Sequence, residues 1–175
     1  LGTLAEAPTV VALGYMSEAF TFLVQGRNRD SLARFDEAAA LFRAHGDEVG
    51  WARTQIGRTG SCVMLGFFDE ALERAREARA ILERAGDRLR VASIDTNLAL
   101  LLERMNRPAE ALAYSERALA AYHSAGLTHR AVATLSNHAL LLWRLGRVRE
   151  ALDAHREARQ GLVSLGATVD AARED

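Results

Sequence analysis

The chain has 175 residues, 22 basic and 23 acidic side chains, and a formal net charge of −1. All the basic residues are Arg, which excludes a phosphate-loop lysine, a Schiff base and a Ser-Lys nucleophile, while the charge balance argues against a nucleic-acid or polybasic membrane surface. The single Cys excludes an internal disulfide framework and a cysteine-based zinc cluster, and no apolar run reaches the roughly 20 residues of a membrane span.

Ala and Leu make up about a third of the residues, and with Arg and Glu they favour helices throughout. Residues 1–8 read as the end of a preceding repeat or a linker, because Leu1 to Ala5 aligns with Leu41 to His45. Residues 9–46 form a first unit of two helical patterns, A and B, parted at Gly26 and ended at Gly46. Residues 47–86 repeat the arrangement, with Gly66 and Gly86 as breaks and Asp69 as the expected N-cap of helix B. Gly57 and Gly60 lie inside helix A of this unit and cost roughly 1 kcal/mol each relative to Ala. Either something approaches the backbone there, or the array tolerates a soft spot; the soft spot is the preferred reading. In residues 87–126, Asp87 caps helix A and Pro108 occupies the first position of helix B, where its missing N–H costs nothing. Gly126 ends that helix in a left-handed conformation. Residues 127–166 form a fourth unit, and 167–175 read as the start of a truncated fifth.

Four series share a 40-residue period without insertion. They are Gly26, Gly66 and Gly146 with Asn106; Gly46, Gly86, Gly126 and Gly166; Leu32, Leu72, Leu112 and Leu152; and Ala38, Ala78, Ala118 and Ala158. A lone helical hairpin cannot bury its apolar face, but stacked hairpins can. The expected fold is therefore all-α, an α-solenoid of stacked antiparallel helical hairpins.

The motif Leu145-Gly146-Arg147-Val148-Arg149-Glu150-Ala151-Leu152, with Ala139 and Ala158, resembles the tetratricopeptide repeat. Leu98-Ala99, Leu102, Ala111-Leu112 and Ala118 match in unit three, and Leu65-Gly66, Glu70-Ala71-Leu72 and Ala78 in unit two. Unit one fits through Ala19, Phe22, Gly26, Phe35 and Ala38, but Ser31 stands where Ala is expected. The period exceeds the usual 34 residues of these repeats. It resembles the longer variety of Pins/LGN-type polarity adaptors and kinesin light chains, and the arrays of bacterial signalling proteins.

The resemblance implies a right-handed superhelix whose A helices line a concave groove for a peptide or partner domain. It places Arg53, Asn97, Leu100, Arg104, Asn137, Leu140 and Arg144 on that groove, with Trp143 at its edge. Asn97 and Asn137 are equivalent, and in the similar repeats such asparagines hold a peptide backbone, as an amide carries both donor and acceptor. A bond to a neighbouring helix is the competing role. Arg104 and Arg144 are positioned to receive a carboxylate or phosphate, unless acids such as Glu103 engage them. Trp143 suits a binding hot spot or packing against a further repeat.

No histidine pair has the zinc-protease spacing, and Cys62 reads as a small buried hydrophobe. No cofactor, metal or catalytic role is expected. The first functional reading is a non-catalytic protein-interaction module, a fragment of a larger protein whose apolar ends stack end to end when isolated. The alternative is an intramolecular regulatory array of a bacterial STAND ATPase, LuxR-type regulator or CHAT protease. The Lys-free, Ala/Arg-rich composition points to a GC-rich bacterial genome, and a cytoplasmic setting is expected.

Overall fold

The structure, a computed structural model, describes the backbone of residues 3–174 and the side chains of residues 8–166. Within that span lie eight helices and no strand: α1 (Thr3–Val24), α2 (Asn28–Ala44), α3 (Glu48–Leu65), α4 (Phe68–Arg84), α5 (Arg88–Arg104), α6 (Pro108–Ser124), α7 (Thr128–Arg144) and α8 (Val148–Glu174). No described helix is long and apolar enough to cross a membrane.

One turn geometry recurs every twenty residues. The N–H groups of Arg27, Asp47, Phe67, Asp87, Arg107, Leu127 and Arg147 reach back to the carbonyls five residues earlier, at 2.8–3.0 Å. This is the six-to-one bond that closes a helix through a left-handed residue. Glycine supplies the positive φ at residues 26, 46, 66, 86, 126 and 146, and Asn106 supplies it at φ 58°. Turns from A to B and from B to A therefore share one mechanism. Asp47 and Asp87 cap the helices that follow them, accepting from Gly50 N–H at 2.6 Å and Arg90 N–H at 3.2 Å. Asp69 does not cap α4. Phe67 holds the cap position without a side-chain bond, and Asp69 lies inside the first turn, where its charge still favours the helix N-terminus.

Small residues set the crossings. Ala38, Ala78, Ala118 and Ala158 are buried, as are Ala71, Ala111 and Ala151. The first unit has Ser31 instead, and its hydroxyl pairs with that of Ser61 at 2.9 Å, so the buried polar group is satisfied. Gly57 is no soft spot. A Cβ there would run into the ring of Phe35, which is fully buried; the glycine is what lets α2 seat that ring on α3. Gly60 differs, since a Cβ would only touch Leu23 Cδ2 at 4.0 Å.

Each helix packs on its chain neighbours, and across repeats only the odd-numbered helices approach one another, α3 and α5 most closely. The odd helices thus form an inner row. The backbones of α2, α4, α6 and α8 stay apart, leaving outer grooves floored by the inner helices. This is a helical-repeat solenoid. The turn expected at Gly166 does not form: α8 runs on to Glu174. The side chains of residues 1–7 and 167–175, assigned to the flanking partial repeats, lie outside the described residues.

Candidate partner-binding site

The inner row presents the candidate residues, but not equally. Asn97 Nδ2 donates to the Ile56 carbonyl of α3 at 2.6 Å. At that point α3 carries Gly57 and Gly60, and α5 lies closer to it than α7 lies to α5. That close approach brings the amide within reach of the α3 backbone, so Asn97 ties two helices together. Asn137, its equivalent, is exposed, and among the described residues its amide makes no hydrogen bond.

The two arginines diverge as well. Arg144 donates through Nη1 to the carboxylate of Glu103 and, at 3.2 Å, to the Glu103 carbonyl; its Nη2 donates to Asn106 Oδ1 at 2.6 Å. Its fork is occupied by α5. One repeat earlier the positions of Glu103 and Asn106 are filled by Val63 and Gly66, which offer no side-chain acceptor, and Arg104 stays exposed, its Nε 3.8 Å from the neighbouring Glu103. Arg53 is exposed and 3.9 Å from the carboxylate of Asp87.

Leu100, Arg104, Asn137 and Leu140 line one cleft of about 100 Å³ between α5 and α7, together with Glu103. Trp143 projects beside it, 63% exposed. The cleft thus combines an apolar floor, one amide, one guanidinium and the Glu103 carboxylate, a small notch for one side chain beside an amide that can pair with a peptide group. Toward the N-terminus the inner face is more apolar, with Leu13, Phe20, Val24 and Met64 exposed.

Two charged clusters on the outer side escaped the sequence reading. Arg58, almost fully buried, donates to Asp36 of α2 at 2.7 Å and to Glu70 of α4 at 2.8 Å. Asp95, equally buried, accepts from Arg79 of α4 at 2.6 Å and from Arg117 of α6 at 3.4 Å. Burial pushes the Asp95 carboxyl up, against the pull of both arginines. The signal was present in the period: Gln55, Asp95 and Leu135 are equivalent positions, and only one carries a charge.

Cys62 is buried, and burial pushes its thiol up. His138 Nδ1 lies 3.1 Å from Ser115 Oγ. Among the described residues no group of His, Cys, Asp and Glu is placed to hold a metal ion.

No curated protein matches the chain. Among solved structures, BtubC (BKLC) from P. vanneervenii aligns with TM-score 0.80 and 20% identity, over 91% of this chain and 66% of that one. Aspartyl phosphate phosphatase F from Bacillus subtilis aligns with TM-score 0.78 and 13% identity, over 89% and 41%. The chain therefore spans less than two thirds of either protein, and the likeness is one of fold. The family model described as tetratricopeptide repeat matches residues 60–124 and 90–162, more than half of the sequence. With its 40-residue period, its small residues at every crossing and its paired helices, the chain belongs to the tetratricopeptide-repeat family.

Proposed function

We propose that the chain is a non-catalytic protein-interaction module that holds an extended peptide, or a loop of a partner domain, in the α5/α7 cleft. The repeat fold supports protein binding in general. The observation that carries the specific site is the contrast between the two asparagines: Asn97 is engaged by Ile56, while Asn137 is exposed beside Leu100, Leu140 and Arg104. In this reading Asn137 pairs with a peptide group in both directions, Leu100 and Leu140 take an apolar side chain, and Arg104 takes an acid. Trp143 closes over the ligand as an aromatic anchor.

Panning a random peptide library against the chain tests the site. Peptides recovered on the wild type should lose affinity for Asn137→Ala and for Leu140→Arg, with helix content and unfolding midpoint retained. Peptides indifferent to both substitutions place the binding surface elsewhere.

The same proposal covers the setting. We place the chain in a bacterium on its Lys-free, Ala/Arg-rich composition. End-to-end stacking belongs to it too. Leu152 and Leu162 of α8 are 51% and 59% exposed, whereas the equivalent Leu112 and Tyr122 are 6% and 2% exposed beneath α7. Leu162→Glu should reduce any self-association seen by sedimentation.

A further inference from the structure

The outer groove between α4 and α6 differs from its neighbours in sign. It is about 640 Å³ in volume and is floored by the first half of α5, a size within the range of small-molecule sites, about 300–1,000 Å³. Asp95 sits in the floor, 1% exposed, and takes Arg79 on one carboxylate oxygen and Arg117 on the other. One buried carboxylate thus holds two guanidiniums from opposite walls. Glu83 pairs with Arg79 at 2.9 Å, while Arg117 stacks on the Tyr114 ring at 4.4 Å. Arg117 has no further acid partner among the described residues, and Arg88 at the rim has no ion-pair partner there at all. The groove is left with excess positive charge on two guanidiniums whose Nη groups stand open.

The fold does not require this. The position of Arg117 is Glu37, Glu77 and Glu157 in the other repeats. The α2/α4 groove balances Arg43, Arg58 and Arg74 against Asp36, Glu70 and Glu77. The α6/α8 groove carries Glu157 and has Leu135 in its lining. A staple between helices needs one arginine for one aspartate; a second, stacked and only half used, is in place to receive an incoming anion. Beside it, half-exposed Leu89, with Ala92 and Ala121, forms an apolar strip.

We propose that the α4/α6 outer groove is a binding site for a small amphiphilic carboxylic acid, its head on Arg117 and Arg88 and its apolar stem over Leu89 and Ala121. Asp95 acts as a positioning residue that fixes the guanidinium of Arg117. The site is separate from the inner cleft and does not depend on what binds there.

Titration calorimetry with octanoate on the whole chain tests the proposal, with amide shifts of Leu89, Ala92 and Ala121 as a second readout. Octanoate should bind saturably and shift those amides. Octanol and acetate, each lacking one half of the ligand, should not. Arg117→Glu, which restores the residue of the other repeats, should weaken octanoate roughly tenfold or more. Arg88→Gln, an exposed change that leaves the Asp95 bridge intact, should weaken it severalfold and guards against a folding defect in the first variant. Failure of octanoate to saturate, binding of octanol equal to octanoate, or unchanged affinity in both variants overturns the site. An acidic peptide that saturates the same amides where octanoate does not overturns the small-molecule assignment.

Discussion

Asn97 of α5 donates its side-chain amide to the carbonyl of Ile56 in α3, a bond that Asn137 of α7 does not repeat on α5. Equivalent residues thus have different duties. Asn97→Ala should lower stability by about 1 kcal/mol, the net worth of one such hydrogen bond. Asn137→Ala should stay within about 0.5 kcal/mol of wild type, as an exposed change does. Urea unfolding of the two single variants compares them directly, and equal losses would contradict the division of roles.

The two helix-interior glycines should respond oppositely to alanine. Gly57→Ala forces a methyl into the Phe35 ring, which is buried and cannot swing away. A loss of about 1–3 kcal/mol is expected, as for overpacked cores. Gly60→Ala meets only ordinary contact and removes glycine's entropic penalty, so a gain of roughly 0.5–1 kcal/mol is expected. Thermal unfolding of both variants should bracket the wild type.

Asn106 occupies a left-handed turn position that glycine fills at the other turns, and Arg144 donates to its side chain. Asn106→Gly removes backbone strain and a hydrogen bond together. In the wild-type background these should nearly cancel. With Arg144→Ala already present, the same change should stabilise by about 0.5–1 kcal/mol. A double-mutant cycle measures the coupling, and additive effects would show that the contact contributes nothing.

His138 supplies a pH dependence. Burial lowers its pKa below the ordinary value, with Arg147 adding to the effect and Glu116, Glu150 and Glu157 opposing it. The unfolded chain then takes up the proton before the folded one does. This contribution is fully present above the ordinary histidine value of about 6.5 and declines as pH falls from there toward the folded value. Between about pH 7.5 and about pH 5, His138→Gln should lose less stability than wild type in chemical unfolding. Equal losses would assign the acid sensitivity to other groups.

How much of this was legible in the residues can be seen position by position. The hairpins, the turn glycines and the role of Pro108 follow from local chemistry repeated four times, and the period turned weak local signals into a strong one. The Ser31 departure had its answer in Ser61, but that pairing joins two helices and has no local signature. The fate of Asn97 depended on how closely α5 approaches α3, a tertiary distance that no local pattern along either helix encodes. The outer arginines were missed for another reason. A solvated charge and a bridging charge look alike along a helix, and only comparing Glu37, Glu77, Arg117 and Glu157 across the period separates them.

The spacing of the outer helices has a mechanical consequence. The inner row is continuous, whereas the outer helices are spanned by long charged side chains such as Arg43 to Glu77 and Arg76 to Glu110. Bending that fans the outer helices apart first stretches solvated ion pairs, each worth little, and then pulls on the buried bridges that Arg58 makes to Asp36 and Glu70 and that Asp95 makes to Arg79 and Arg117, whose rupture costs more. The array should therefore behave as a leaf spring with its neutral axis near the inner helices, soft for small changes of curvature and checked at the α2/α4 and α4/α6 grooves by the buried bridges.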